Sequence, residues 1–133
     1  MLKADRQKDA ENILREEMMK ERAEVLGRAG EKLSTAIEKV KIIEQEVEER
    51  LKKFQSILEK PREEYDDVGP VSQRQKMVKE INKEISKFNH AREYAKLRYY
   101  YLIVTREAMG MRRHHWVDES YKIPPKKKYL RDT

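Results

Sequence analysis

Apolar residues recur every seven positions through the first half of the chain. The main series is Leu26, Leu33, Val40, Val47 and Phe54, with a second series at Ala29, Ala36, Ile43 and Ile57 that is interrupted at Arg50. Heptad spacing keeps an apolar seam on one side of an α-helix, where it faces a partner. Upstream, the apolar positions continue less regularly, at Ala10, Ile13, Leu14, Met18 and Val25. The pattern therefore predicts a long helix A over about residues 3–60.

A connection interrupts the pattern over residues 61–71. It opens with Pro61 and contains an acidic cluster and a Gly-Pro pair, which favour a turn over a helix. Apolar positions then resume at helical spacing, at Val78, Ile81, Ile85, Phe88, Ala95, Leu102 and Met109. This second ladder predicts helix B over about residues 72–120, with Gly110 as an alternative end. Pro124 and Pro125 follow, so residues 1–121 are expected to form one helical domain and residues 122–133 a basic, mobile tail.

The two helices predict an all-α fold, a long antiparallel helical hairpin of the coiled-coil type. In such a hairpin, positions whose numbers sum to about 132 lie opposite one another. The apolar seams are wider than one partner helix requires, which favours dimerisation into a four-helix bundle. The alternative is a bent three-helix bundle, in which the chain turns at Gly27 and Gly30 and residues 3–26 fold back as a third helix.

The hairpin register assigns packing roles to individual side chains. Gly27 and Gly30 fall opposite Leu102 and close to Tyr99, so the glycines are expected to make room for the tyrosine cluster. Arg92 falls on the seam of helix B near Glu44, and a buried pair of this kind can fix the register of a coiled coil. The predicted core and partner-packing residues are Gly27, Gly30, Arg92, Tyr99, Leu102 and Trp116, the last docked at the end of helix B.

Composition narrows the functional classes. Charged residues make up 42% of the chain, and cysteine is absent, which excludes disulfides, thiol catalysis and thiolate metal sites. The polar N-terminus lacks the apolar segment of a signal peptide. The longest apolar run, residues 99–104, is far too short to cross a bilayer. These features predict a soluble, cytoplasmic protein with no membrane partner.

Motifs for catalysis are missing from the sequence. The Glu-x-x-His motif of di-iron bundles does not occur, and the few glycines never form a phosphate-binding loop. His114 and His115 precede Asp118 and Glu119 by one helical turn, a spacing at which two side chains can share an ion. No third ligand lies nearby in the sequence. We therefore expect no catalytic residue, no cofactor and no metal, and a non-enzymatic protein.

Net charge is distributed unevenly along the chain. Residues 76–133 carry 15 Lys and Arg against 7 Asp and Glu, whereas residues 1–61 carry 14 of each kind. An excess of cations suggests an anionic partner for the C-terminal half. The candidate contacts to such a partner are Lys79, Lys83, Lys87, Arg112, Arg113, Lys126, Lys127 and Lys128.

Two functions follow from these patterns. The broad seam and the missing chemistry favour a helical interaction, scaffold or adaptor protein that self-associates as a homodimer and presents a surface to an unidentified protein. The alternative is a nucleic-acid-associated accessory protein that binds the phosphate backbone through its basic C-terminal half.

Overall fold

The computed structural model describes residues 2–59 and 70–131, which contain three helices and no strand. α1 spans Leu2–Leu58, α2 spans Pro70–Ala108 and α3 spans His115–Ser120. α1 and α2 pack against each other, so the prediction of an all-α protein with two long packed helices is confirmed. Most of the predicted connection over residues 61–71 lies outside the described residues.

The two long helices are antiparallel in the predicted register. Arg50 of α1 lies 3.9 Å from a carboxylate oxygen of Glu80 and 3.8 Å from one of Glu84, both on α2. These pairs of positions sum to 130 and 134, on either side of the expected 132. The core between the helices consists of Leu33, Ala36, Ile37, Val40, Val47, Ile81, Ile85, Phe88, Ala95 and Leu102, joined by Val117 of α3. The heptad seam is therefore the surface that α1 and α2 bury against each other.

α1 continues without interruption through both of its glycines. The alternative of a bend there, with residues 3–26 folded back as a third helix, is therefore not found. A methyl group built on Gly27 would contact nothing within 4 Å, and one on Gly30 would lie 3.3 Å from the hydroxyl of Tyr121. The expected contact of the glycines with Tyr99 is therefore wrong, because Tyr121 covers Gly30.

Helix B is shorter than expected. α2 ends at Ala108, and Gly110 has a φ of +86°, a left-handed conformation that glycine adopts at little steric cost. The N–H of Met111 donates to the Arg106 carbonyl at 2.9 Å, and the N–H of Gly110 donates to the Glu107 carbonyl at 3.0 Å. These two bonds form a Schellman motif, which ends α2 twelve residues before the predicted end at residue 120.

The side chains of α3 pack differently from what was expected for the end of helix B. Val117 is fully buried in the core, whereas Trp116, which was expected to dock, is 55% exposed. Leu102 is buried as expected, and Tyr99 is half-buried beside the core. Because α2 ends before this segment, the heptad series of α2 does not continue into it, and Val117 is buried in place of Trp116.

Residues 121–131 form a non-helical strap that runs back along the hairpin. The side chains of Asn89 and Asn82 on α2 hydrogen-bond Lys127 and Leu130 respectively, so the strap is antiparallel to α2. Ile123 and Leu130 of the strap pack against the core. The sequence suggested a mobile tail from residue 122. The described part of that segment instead lies against the folded domain.

No helix in the described ranges is both long enough and apolar enough to cross a membrane.

Candidate interaction surfaces

Two asparagines attach the strap to one side of the hairpin. Asn89 Nδ2 donates to the Lys127 carbonyl at 3.1 Å, and its Oδ1 accepts from the Lys127 N–H at 3.0 Å. Asn82 forms the same pair of bonds with Leu130, at 3.0 and 2.8 Å. A side-chain amide has one acceptor oxygen and two N–H donors, so it can satisfy both backbone groups of a residue, as a neighbouring strand would. The strap therefore keeps backbone hydrogen bonds without forming a sheet.

Lys127 of the strap contacts two residues of the hairpin. Its Nζ lies 3.8 Å from a carboxylate oxygen of Glu44 and 5.2 Å from the centre of the Phe88 ring. Arg92 Nε donates to the Pro124 carbonyl at 2.8 Å, and Arg92 also pairs with Glu93. The expected pair of Arg92 with Glu44 is therefore wrong, since the strap takes up both groups. Lys127 was also predicted as an anion contact, and in the structure it pairs with Glu44.

The opposite side of the hairpin carries a surface made of two successive depressions, and no strap residue lines either of them. Its lining from α1 comprises Val25, Arg28, Ala29, Lys32, Lys39 and Ile43. Its lining from α2 comprises Lys83, Ser86, Lys87, His90, Ala91, Arg98, Tyr101 and Thr105. Val25, Lys32 and Lys39 are seven residues apart, as are Ala91, Arg98 and Thr105, so the two stretches lie along one side of the heptad seam. We call this surface the open groove.

The open groove is basic. Six of its lining residues are lysine or arginine, and none of those described is acidic. Lys87 pairs with Glu84 at 3.3 Å, and Arg98 Nε donates to the Tyr94 hydroxyl at 3.0 Å. Within the described ranges, no carboxylate lies within 4.0 Å of the charged groups of Arg28, Lys32, Lys39 or Lys83. The groove therefore offers uncompensated positive charge to a partner.

The predicted anion contacts divide between several places. Lys83 and Lys87 line the open groove, whereas Lys79 is exposed on α2 outside its lining. Arg112, Arg113, Lys126 and Lys128 are exposed elsewhere, in the turn before α3 and on the strap. Sequence reasoning missed the α1 side of the groove at Arg28, Lys32 and Lys39. The available signal was Lys32 and Lys39, which stand one position before Leu33 and Val40 of the seam.

The N-terminal part of α1 has no neighbour in the described structure. Every residue from 2 to 24, which we call the arm, is exposed. At about 1.5 Å per residue the arm extends roughly 35 Å beyond the point where α2 ends. Its exposed apolar side chains are Leu2, Ile13, Leu14, Met18 and Met19. Isolated helices are marginal in water, so a helix of this kind gains most of its stability from packing.

A second exposed apolar patch lies on the outer face of α2. Tyr94, Leu97, Tyr101 and Val104 follow heptad spacing and are 48%, 44%, 47% and 41% exposed. Tyr100 lies beside them, and the guanidinium of Arg98 lies over the rings of Tyr94 and Tyr101. Contiguous exposed apolar side chains on a highly charged chain are typical of a protein-binding surface.

The histidines near α3 bind neighbouring side chains. His114 Nδ1 accepts from Arg106 Nε at 3.3 Å, and His114 Nε2 lies 3.2 Å from a Glu107 oxygen. His115 meets Glu119 at 3.1 Å on the surface, which is the one-turn pair that the sequence indicated. Arg106 also lies over the Trp116 ring, at 5.4 Å from its centre. In the described ranges, no three His, Asp or Glu side chains are placed to hold a metal ion.

A comparison of the chain with models of protein families, with curated proteins and with solved structures finds no match in any of the three.

Proposed function

We propose that this protein is a non-enzymatic helical interaction protein that self-associates and presents a binding surface to a further protein. The supporting observation is the pair of exposed apolar surfaces, the arm and the outer face of α2, on a chain that is 42% charged. One surface serves self-association and the other remains for the partner. His114 is held by Arg106 and Glu107.

Self-association is tested by light scattering behind size exclusion over a range of protein concentrations. We expect a mass near twice the 16.1 kDa of one chain, which falls towards the single-chain value on dilution. A mass that stays at one chain throughout would contradict the proposal. Replacing Leu97 and Val104 with Glu tests the outer face separately. These residues are exposed, so the hairpin is expected to remain folded and the dimer to persist.

A second candidate function is nucleic-acid binding, and the observation that favours it is the row of unneutralised cations in the open groove. A basic groove with exposed aromatic rings can hold a single strand through its phosphates and bases. Tyr101 lines the groove and Tyr94 contacts Arg98 beside it.

The second candidate is tested by fluorescence anisotropy with a labelled single-stranded oligodeoxythymidine. Binding should weaken steeply as salt rises. Lys83→Glu combined with Lys87→Glu should weaken it further, whereas Lys96→Glu combined with Lys122→Glu, at exposed positions outside the groove, should have a smaller effect. Absence of binding at about 50 mM salt would exclude this function.

A further inference from the structure

The arm and the open groove are complementary in charge. The groove has six cations and no carboxylate among its described lining residues. Residues 9–24 of the arm carry six acidic side chains and three basic ones. Complementary potentials of this kind favour association and fix its orientation. The arm cannot fill the groove of its own chain, because α1 is one continuous helix in which the arm and the groove follow each other.

We propose that the arm of each copy docks in the open groove of a second copy, with the two α1 helices antiparallel and a two-fold axis near Val25. The proposal rests on the self-association proposed as the function, and it specifies the surfaces that join. The contact is isologous, since the same arm and the same groove act in both copies. Each half of the dimer would then contain three packed helices: α1 and α2 of one copy and the arm of the other.

The lengths of the arm and the groove support this arrangement. Along α1 the groove runs from Val25 to Ile43, which corresponds to about 27 Å. The arm extends in the other direction from Val25 and is slightly longer than this. When two α1 helices cross at Val25 in antiparallel orientation, each arm therefore lies beside the groove of the other copy.

The apolar residues of the arm lie on the correct side of α1. Val25 lines the groove, and Met18 stands seven residues before it, so heptad spacing keeps both side chains on one side of the helix. Leu14 lies one turn before Met18 and extends the same stripe. Docking would cover these exposed side chains with the half-buried Ala29 and Ile43 of the second copy.

Individual charges also match across the proposed two-fold axis. With Val25 at the crossing point, Glu11 lies at the level of Lys39 of the second copy, and Glu21 lies at the level of Arg28. Glu11 and Lys39 belong to the same seven-residue series as Val25. Glu21 and Arg28 are seven residues apart in a neighbouring series, so these groups share the groove side of α1. Neither Lys39 nor Arg28 meets a carboxylate within the described part of one chain.

Chemical cross-linking tests the crossing point. The chain has no cysteine, so each single-cysteine variant carries one reactive thiol. We expect Val25→Cys to give a covalent dimer with a short bismaleimide. Met19→Cys is the matched control, because Met19 is exposed and lies on a different side of α1 from Met18. Cross-linking of Met19→Cys as efficient as that of Val25→Cys would overturn the antiparallel crossing.

Charge reversal tests the arm–groove contact. Glu21→Lys and Arg28→Glu should each weaken the dimer by about tenfold, since each places like charges together across the interface. The double variant in one chain should recover the affinity of the original chain, because the two new charges again face each other in opposite sign. Lys41→Glu, at an exposed position outside the groove lining, is the control and should leave the affinity unchanged.

The results separate failure of the docking mode from failure of self-association. A dimer that persists in both single charge variants, without cross-linking of Val25→Cys, overturns arm docking and leaves self-association intact. A chain that is monomeric at all concentrations removes both. If an oligonucleotide requires Arg28 and Lys39 for binding and the dimer does not, the groove belongs to nucleic acid and arm docking is wrong.

Discussion

At the scale of single residues, the amide of Asn89 is expected to stabilise the strap. Asn89 is buried and pairs with both backbone groups of Lys127, so Asn89→Ala leaves the part-buried N–H and carbonyl of Lys127 without these partners. Groups left without partners in this way lower the free energy of unfolding by about 1–3 kcal/mol. The higher helix propensity of alanine offsets less than about 0.7 kcal/mol of this decrease. We expect the free energy of unfolding, measured in urea, to fall.

Trypsin provides a second measurement for the same variant. Lys126 and Lys128 flank Lys127 on the strap and are exposed. Cleavage there should accelerate in Asn89→Ala, because the strap separates from α2 more often. Lys96→Ala, at an exposed position on α2, is the control. Unchanged stability and unchanged cleavage of Asn89→Ala would show that the asparagine bonds contribute nothing.

The glycines of α1 provide a matched pair of substitutions. Gly27 has open space around the position of a methyl group, so Gly27→Ala should raise the free energy of unfolding by about 1 kcal/mol through helix propensity alone. At Gly30 the methyl group would lie 3.3 Å from the Tyr121 hydroxyl, so part of that gain is lost as the tyrosine moves. Gly30→Leu should be clearly less stable than Gly30→Ala, because it overpacks against Tyr121.

Urea denaturation of the three variants measures this order. Equal stabilisation by Gly27→Ala and Gly30→Leu would mean that Tyr121 does not limit the space at Gly30. The sequence led us to the right glycine for close packing but to the wrong tyrosine. Tyr99 is near Gly30 in the hairpin register, whereas Tyr121 reaches it only because the chain turns back after Gly110.

At the scale of elements, the periodic parts of the fold were predictable and the non-periodic parts were not. The heptad seams of α1 and α2 specify both helices and their register, because each seam residue needs only a partner at the same level of the other helix. The strap has no repeat in its sequence, and its two prolines and three lysines are typical of a solvated tail. Its position depends on Asn82 and Asn89, whose seven-residue spacing beside Ile81 and Phe88 was the available signal.

The open groove was predictable only in part for the same reason. Lys83 and Lys87 stand out as a one-turn series on α2, but the groove also requires cations from α1. Lys32 and Lys39 are separated by charged and apolar neighbours in the sequence, and only the packed hairpin brings them to the same side of the molecule as Arg98 and Lys83. A surface made by two helices cannot be recognised from the composition of one.

At the scale of the whole molecule, the arm makes the helical content depend on concentration if self-association covers it. The arm is only marginally stable as a helix on its own, because a helix of about 20 residues without tertiary contacts frays in water. Residues 2–24 would therefore be partly helical in the monomer and fully helical in the dimer. The helical signal in far-ultraviolet circular dichroism should rise with protein concentration, in step with the mass from light scattering.

A chain that begins at Val25 is the control for this expectation. It keeps every residue of the core, so the hairpin should remain folded, and its helical signal per residue should be the same at all concentrations. Its mass should also stay at one chain, because each groove has lost the arm that fills it. A shortened chain that still dimerises would place the interface on another surface, of which the outer face of α2 is the best placed, since Leu97 and Val104 are exposed there. The same experiment therefore identifies which apolar surface joins two copies and which remains for a different protein.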